Sequence, residues 1–344
     1  MDILIGLLII AVGAFCQSSS YVPINKVKGW SWESYWLVQG VFAWLLFPIL
    51  GALLAVPSGH NFFELFSTVD SFNIWMTILF GVLWGVGGLT FGLSMRYLGV
   101  ALGQSIALGT CAAGGTILGP VLLNIFFPEA NALASITSAV VVGVVVTLVG
   151  IAIIGVAGKM KSDSLPEEEK KAAVKDFNFP KGLAIALLAG VMSGCFAVGL
   201  EFGKGINFAE TDAMYATLPA TMLVTLGGFV TNAIYCLYQN AKNKSFGDYK
   251  QKSLWANNLL FCALAGALWY SQFFGLSLGK GYLTESATLT TLSFCILMAL
   301  NVIFANVWGI ILKEWKGCSK KTIVVLVVGL VILAASSFLP ELLK

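Results

Sequence analysis

The sequence predicts an all-α polytopic membrane protein with ten transmembrane helices, arranged as two inverted five-helix repeats. Hydrophobic residues make up 58% and charged residues 11% of its 344 residues, whereas soluble domains carry about 25% charged residues. The apolar residues also form runs close to the roughly 20 residues that a helix needs to cross a bilayer. We expect helices rather than a barrel, because a period-2 pattern is absent from these runs.

The predicted spans follow one another along the chain at 3–20, 34–56, 74–95, 98–122, 133–157, 182–202, 213–238, 254–278, 285–311 and 321–339. The first run begins with "MDILIGLLII" and lacks the basic segment that opens a secretory signal. We therefore expect it to be retained as a helix.

Lysine and arginine residues indicate the orientation, because they concentrate in cytoplasmic loops. Three of the 20 such residues, Lys204, Lys280 and Lys344, lie on one predicted side of the membrane, and the other 17 lie on the opposite side. We expect both termini outside and the charged loop 158–181 in the cytoplasm. The formal net charge of +3 then reflects topology, and no nucleic-acid partner is expected.

The loop 158–181 also divides the spans into five and five. A unit with an odd number of spans must be inverted in its second copy. Weak internal similarity supports a duplication, because "GVLWGVGGLTFGLS" (81–94) is similar to "GALWYSQFFGLS" (266–277). The predicted organisation is a first repeat over 1–157, a cytoplasmic linker loop over 158–181 and a second repeat over 182–344.

Several classes of function are disfavoured. The seven cysteines are scattered without a CxxC pair, and the single histidine, His60, lies in a loop without nearby cysteines, so we expect no metal site. "GVGG" (85–88) lacks the following GK[ST] of a phosphate loop. No nucleophile or paired-acid cluster indicates an enzyme, and a channel would need a ring of like charges. No cofactor is expected.

The segment "KVKGWSWESYW" (26–36) precedes and begins the second span. The positive-inside bias alone accounts for its two lysines, and an aromatic belt accounts for Trp30 and Trp32. Ser31 is expected to cap the helix, and Glu33 then falls in the first turn, where the helix dipole favours a carboxylate. Trp36 and Gln39 remain unexplained. They continue from Glu33 at steps of three residues and extend one polar face into the membrane.

Similar polar and aromatic residues lie deep in other spans. As a set they suit a sugar, because indole rings stack on C–H surfaces and amides bind hydroxyls. Any one of these amides could instead serve only to form a hydrogen bond between two helices. The candidate substrate-binding residues, expected between the two halves, are Gln17, Trp36, Gln39, Trp84, Asn232, Trp269, Tyr270 and Gln272.

Few acids are placed to carry a proton across the membrane. Glu33 is the first candidate for proton coupling, and Glu201 and Glu285 are the next. Glu201 could instead be neutralised by Lys204, three residues later.

The sequence resembles the bacterial L-rhamnose/proton symporters, a branch of the drug/metabolite transporter superfamily. The matching stretches are spread over most of the chain: "KVKGWSWESYW" (26–36), "LWGVGGLTFGLSMRYLG" (83–99), "LPA" (218–220), "LWYSQFF" (268–274) and "LKEW" (312–315). The resemblance implies proton-driven uptake of L-rhamnose or a related 6-deoxyhexose by alternating access across a bacterial inner membrane. The proton is then the coupling ion, and the partners are a small sugar and the lipid bilayer.

The resemblance also implies that a set of residues is functionally important, without giving each member its own role. The set consists of Trp32, Glu33, Arg96, Tyr97, Trp269, Tyr270, Gln272 and LKEW. An exporter of metabolites or drugs from the same superfamily remains the alternative function.

Overall fold

The structure, a computed structural model, describes residues 2–98, 100–164, 178–311 and 315–336. Regular structure in these residues is helical, and they contain no strand. The described part of the chain holds ten long helices: α1 (Asp2–Ser19), α2 (Trp32–Leu53), α3 (Ser71–Leu98), α4 (Val100–Phe126), α5 (Ser138–Asp163), α6 (Phe179–Phe202), α7 (Leu218–Asn243), α8 (Lys252–Tyr282), α9 (Ala287–Ile311) and α10 (Lys320–Ser336).

Length and composition allow most of these helices to cross a membrane. Among the described residues, nine helices, α1 to α9, are long and apolar enough to do so. α10 covers 17 residues, and the last residues of the tenth predicted span, 337–339, lie outside the described ranges. The prediction of an all-helical multi-pass membrane protein is therefore confirmed, whereas the tenth span and the inverted repeat stay predictions.

The helices form two compact units, each of which takes residues from both halves of the sequence. Unit 1 comprises Met1–Gly85 and Gly199–Leu283, and unit 2 comprises Val86–Val198 and Thr284–Lys344. Within unit 1, α8 packs along α1, and α2 packs against both α7 and α8. Within unit 2, α5 packs against α4, α9 and α10.

α2 changes its helical pitch in the middle. Its α-helical segments Trp32–Gly40 and Phe47–Leu53 are joined by a π-helical turn, Val41–Leu46. Gly266 of α8 lies against this turn, since a Cβ at that glycine would be 2.7 Å from the Phe42 Cβ and 3.0 Å from the Ala43 nitrogen. The wider turn therefore fits only because α8 presents no side chain there. Single π turns inside α-helices are frequent at functional sites.

α10 is an integral part of unit 2. A Cβ at Gly150 of α5 would be 2.9 Å from the Leu333 Cγ, and one at Gly329 would be 3.0 Å from the Ile154 nitrogen. A buried hydrogen bond of 3.0 Å from the Thr147 hydroxyl to the Ser336 hydroxyl oxygen joins the same two helices. Small residues thus allow α5 and α10 to pack backbone against backbone.

Glycines also let α1 and α8 approach closely. A Cβ at Gly6 would be 2.8 Å from the Gly279 carbonyl oxygen, and one at Gly275 would be 3.0 Å from the Ile9 carbonyl oxygen. At Gly13 a Cβ would lie 2.7 Å from the carbonyl oxygen of Ser271. Since backbone atoms cannot move aside as a flexible side chain can, any larger residue would separate the two helices.

We predict that Gly13→Ala destabilises the protein by about 1–3 kcal/mol, the usual cost of overpacking. The matched control is Gly88→Ala, because Gly88 lies inside α3 with open space around its Cβ position. Thermal unfolding in detergent should show a lower Tm for Gly13→Ala, and an unchanged or higher Tm for Gly88→Ala because alanine favours the helix. Equal Tm values for the two variants would contradict the close contact of α1 with α8.

Candidate functional site

Five tryptophans of unit 1 form a continuous chain of ring contacts, which we call the tryptophan cluster. Trp32 stacks on Trp36 with 5.5 Å between ring centroids, and Trp36 meets Trp44 edge-on at 5.7 Å. Trp44 then contacts Trp84 at 6.1 Å and Trp269 at 5.9 Å, and the last two rings lie 5.7 Å apart. Helices α2, α3 and α8 therefore bring their indole rings to one place.

Glycines and one asparagine set the positions of these rings. Gly40 leaves room for the Trp44 ring, whose Cζ3 would be 2.7 Å from a Cβ at that glycine, and Gly228 of α7 does the same for Trp84, which lies directly against it. The Trp36 indole N–H donates to the Asn232 Oδ1 at 3.1 Å, and the Asn232 amide donates to the Gly228 carbonyl at 2.9 Å. One turn of α7 thus holds two of the tryptophans.

Five buried polar atoms of unit 1 have no hydrogen-bond partner among the described residues, and three of them belong to α2 and α8: the Gln39 Oε1, the Trp44 Nε1 and the Tyr270 hydroxyl. Their side chains are only 3%, 4% and 6% exposed. The Tyr270 hydroxyl lies directly against Gly51 of α2. Buried polar groups are normally hydrogen-bonded, so each of these atoms requires an explanation.

The structure brings together part of the sequence-predicted substrate set. Trp36, Trp84 and Trp269 contact one another through the tryptophan cluster, and Asn232 binds Trp36. Gln39 and Tyr270 are buried in the same unit. Gln272 is also buried there, and its amide donates to the carbonyl of Trp269 at 3.2 Å. Gln17 is half-buried near the end of α1, and the Ser18 hydroxyl donates to its oxygen at 3.5 Å.

Trp44 is the residue that sequence reasoning missed. It contacts three other tryptophans of the cluster, more than any other member. On a regular helix Trp44 would not share a face with Gln39, because five residues correspond to about 140° around the axis. The one signal in the sequence was its spacing of eight residues from Trp36, which is close to two turns.

Glu33 lies in the first turn of α2, before the π turn, and is 5% exposed. Its Oε1 accepts hydrogen bonds from the Asn243 amide at 3.0 Å and from the Ser245 hydroxyl at 2.6 Å. The expected cap by Ser31 is wrong, because the Ser31 side chain makes no capping bond. Its backbone N–H instead donates to the Asp248 Oδ2 at 2.7 Å. The first turn of α2 is therefore tied to the connection between α7 and α8.

Glu33 and Asp248 are joined by a chain of side chains, which we call the carboxylate chain. The Ser245 hydroxyl lies 2.6 Å from the Glu33 Oε1 and 3.1 Å from the Asn240 Oδ1. The Ser34 hydroxyl lies 3.0 Å from the same Asn240 Oδ1 and 2.8 Å from the Asp248 Oδ2. Each serine hydroxyl thus faces two acceptors.

The carboxylate chain is short of protons when both acids are ionised. A hydroxyl carries one hydrogen, so each serine can donate to its carboxylate or to the Asn240 oxygen, but not to both. The Asn240 amide donates to the carbonyl of Cys236 at 2.9 Å, which fixes its oxygen toward the serines. One additional proton on a carboxyl group would raise the number of these contacts that can be hydrogen bonds from two to three of the four.

The segment before α2 is held by two asparagines of α8. The Asn258 amide binds the backbone of Lys28 twice, accepting at 3.0 Å and donating at 2.8 Å, and Asn257 donates to the Lys26 carbonyl at 3.0 Å. Trp30 is 8% exposed. It packs between Tyr249 and Trp255, with centroid distances of 5.7 and 5.9 Å. The expectation that Trp30 joins an outward-facing aromatic belt is therefore wrong, because its ring is buried in protein.

In the part of the chain that the structure describes, the two other candidate coupling acids make no hydrogen bond to Glu33, Asp248 or the residues between them. Glu201 is half-buried in the last turn of α6 and, among the described residues, forms no ion pair with the exposed Lys204. Glu285 is exposed in the turn before α9 rather than inside the helix.

Some of the residues that the family resemblance implies to be functionally important lie outside the described part of the chain. These are residues 312–314 of LKEW and the side chain of Arg96. Tyr97 and Trp315 are described, and the ring of each makes a cation–π contact with a lysine. The Lys181 Nζ lies 4.4 Å from the Tyr97 ring centroid, and the Lys161 Nζ lies 4.8 Å from the Trp315 ring centroid.

The described residues contain no group of three or more His, Cys, Asp or Glu side chains that could hold a metal ion. All seven cysteines are free. The His60 Nδ1 lies 3.0 Å from the Glu64 Oε2, and the ring stacks on Phe208 with 4.3 Å between centroids. His60 and Glu64 therefore contact each other, and Phe208 packs on the His60 ring.

The pKa of Asp248 predicts how stability depends on pH. Burial raises this pKa, but hydrogen bonds from the Ser31 N–H and the Ser34 hydroxyl outweigh burial and hold it below its ordinary value. The stabilisation is therefore fully present above the unfolded-state pKa of about 4 and is lost as the pH falls through the lower folded-state pKa.

Asp248→Asn should accordingly lower the Tm at pH 7, and this difference should shrink as the pH falls below about 4. Thermal unfolding in detergent from pH 3 to pH 7 measures this difference in Tm between wild type and Asp248→Asn. Asp163→Asn, which changes an exposed acid at the end of α5, is the control and should leave the Tm unchanged. A pH-independent difference between wild type and Asp248→Asn would contradict the carboxylate contacts.

Comparison with known proteins gives a match over almost the whole chain. Residues 1–340 match the family described as L-rhamnose-proton symport protein (RhaT). A protein of Yersinia pestis (strain Pestoides F) named L-rhamnose-proton symporter is 32% identical over 344 residues, covering 97% of this chain and 96% of that protein. One of the same name from Yersinia pseudotuberculosis serotype O:1b (strain IP 31758) has the same identity and coverage. The chain belongs to the L-rhamnose-proton symport protein family.

Proposed function

We propose that this protein carries L-rhamnose, or a related 6-deoxyhexose, into the cell together with protons. The observation that carries the proposal is the family match over residues 1–340, with relatives named for this activity that cover 97% of the chain. The alternative of a metabolite or drug exporter has no comparable support. The protein acts as a transporter and not as an enzyme, and its partners are the sugar and the lipid bilayer.

The tryptophan cluster is the proposed sugar site. Its rings come from α2, α3 and α8, and Trp44, Trp84 and Trp269 contact one another. A 6-deoxyhexose has a methyl group and C–H surfaces that stack on indole rings, and hydroxyls that bind amides. The further substrate candidates in this unit are Gln17, Gln39, Asn232, Tyr270 and Gln272.

Glu33 is the proposed coupling acid, and the proton count of the carboxylate chain supports it. A proton on Glu33 donates to the Ser245 oxygen, and Ser245 then donates to the Asn240 Oδ1. Ser34 remains free to donate to the Asp248 carboxylate. A protonated Glu33 thus lets three of the four contacts in the chain be hydrogen bonds, whereas an ionised Glu33 allows only two. Glu201 and Glu285 are the alternatives, and the proton is the only coupling species proposed.

The proposed topology has ten spans in two inverted repeats, 1–157 and 182–344, joined by the cytoplasmic linker 158–181. The position of 17 of the 20 basic residues on one side supports both termini being periplasmic. A bacterial inner membrane is the proposed location, and alternating access is the proposed mechanism.

A single cysteine introduced at residue 170 should react with a membrane-impermeant thiol reagent only after the cytoplasmic face is opened, whereas one at residue 344 should react in intact cells. Both positions lie outside the described residues. The labelling is done in a background without the seven native cysteines. A C-terminus that reacts only after the cytoplasmic face is opened would contradict the orientation.

Flux into proteoliposomes under an imposed pH gradient, acid outside, tests the function. L-rhamnose and several other deoxyhexoses and hexoses are offered in turn as radiolabelled sugars. L-rhamnose, or one of the related 6-deoxyhexoses, should accumulate above its external concentration and lose this accumulation when a protonophore is added. Failure of every sugar in the panel to accumulate would overturn the proposed function.

Glu33→Gln mimics the protonated acid and should separate binding from coupling. Because coupling requires that proton and sugar change each other's affinity equally, this variant should retain sugar binding and sugar exchange but lose accumulation driven by the pH gradient. Glu210→Gln, which changes an exposed loop acid, is the control and should accumulate sugar normally. Accumulation by Glu33→Gln equal to wild type would exclude Glu33 and leave Glu201 and Glu285.

A further inference from the structure

Two of the unpartnered polar groups lie on α2, on either side of the start of its π turn. Gln39 is two residues before the turn Val41–Leu46, and Trp44 is inside it. The Gln39 Oε1 is a buried acceptor and the Trp44 Nε1 a buried donor, and neither has a partner among the described residues. Both side chains are more than nine-tenths buried.

The π turn brings these two side chains toward one face of α2. In a regular α-helix, positions five residues apart are separated by about 140° around the axis. A π turn contains more residues per turn, so the angle between Gln39 and Trp44 is smaller. The turn itself is tolerated where Gly266 of α8 leaves room for it. The same local change of pitch therefore reduces the angle around the helix axis between the position of an unpartnered acceptor and that of an unpartnered donor.

Leaving a buried donor and a buried acceptor without partners destabilises the protein. Folding alone gives no reason to keep either group, because phenylalanine and leucine would fill the same space without polar atoms. A sugar hydroxyl both donates and accepts hydrogen bonds. One or two hydroxyls of a bound sugar would therefore supply the missing hydrogen-bond partners of the Gln39 Oε1 and the Trp44 N–H.

The position of Trp44 agrees with such a role. Its ring contacts Trp36, Trp84 and Trp269, the rings on which the apolar face of a deoxyhexose would stack. A hydroxyl at the edge of that sugar face would therefore reach the Trp44 N–H without leaving the tryptophan cluster.

We infer that Gln39 and Trp44 determine specificity by binding hydroxyl groups of the transported sugar, with the Trp44 N–H donating to one hydroxyl and the Gln39 Oε1 accepting from the same or a neighbouring one. This inference rests on the proposed function, because it takes the ligand to be the L-rhamnose-like sugar. It adds that the ligand is recognised through the π turn of α2.

The test measures sugar affinity in detergent by titration calorimetry for the full chain and two variants. Trp44→Phe keeps an aromatic ring and removes the N–H, and Gln39→Leu removes the acceptor. Each should weaken L-rhamnose binding by about tenfold, as expected for one lost hydrogen bond. The Tm without sugar should stay equal or rise, because an unpaired buried group has been removed. A residue that served only the fold would lower the Tm and leave the affinity unchanged.

Trp30→Phe is the matched control. The Trp30 indole N–H is also buried without a partner among the described residues, but its ring packs between Tyr249 and Trp255, outside the tryptophan cluster. This variant should bind L-rhamnose as wild type does. Equal losses of affinity in Trp30→Phe and Trp44→Phe would overturn the inference.

Monodeoxy analogues of L-rhamnose identify the hydroxyl and keep the test decisive if one variant does not fold. One analogue should bind wild type about tenfold more weakly than L-rhamnose, yet bind Trp44→Phe as tightly as L-rhamnose binds Trp44→Phe. Gln39→Leu should show the same loss of discrimination. If removing each sugar hydroxyl weakens binding by the same factor in the folded variants as in wild type, the inference is overturned and the proposed function is left intact. Absence of binding of every 6-deoxyhexose to wild type would overturn both.

Discussion

The structure of unit 1 depends on the contact between the π turn of α2 and Gly266 of α8. This contact lets α8 approach α2 closely, and Trp269 follows Gly266 by one turn of the same helix. Trp269 consequently reaches Trp44, and Trp84 joins both rings because Gly228 of α7 leaves space for it. A side chain at position 266 would push α8 away and separate the rings that form the candidate site.

α2 connects the two parts of the proposed mechanism. Glu33 is in its first turn, tied to the connection between α7 and α8, and Trp44 lies 11 residues later in the π turn, about 16 Å along the axis. A rigid helix segment can transmit a change at one end to the other. Protonation of Glu33 rearranges the carboxylate chain, and the sugar contacts the opposite end of the same segment. Linkage requires only that both ligands favour one position of this helix.

The sequence was sufficient to predict the fold class, because apolar runs of membrane-spanning length depend on composition alone. Trp36, Trp84 and Trp269 can also be selected as candidates from the sequence, since indoles inside apolar spans are conspicuous, and the structure places them in one cluster. Sequence reasoning missed Trp44, because a π turn leaves no periodic signal and a regular helix puts that residue on another face than Gln39. The sequence alone predicts that Trp30 joins an aromatic belt and that Ser31 caps a helix. Their true contacts, with Tyr249, Trp255 and Asp248, lie more than 200 residues away in sequence.

The central claim is that the tryptophan cluster binds the sugar, and calorimetric titration of Trp269→Ala with L-rhamnose tests it most directly. Loss of one stacked ring should remove about 1 kcal/mol or more beyond the loss of buried area, so the affinity should fall by at least about fivefold. Trp75→Ala, which removes an exposed tryptophan of α3, should bind as wild type does. Wild-type affinity in Trp269→Ala, with its folding verified by an unchanged far-ultraviolet circular dichroism spectrum, would contradict this account.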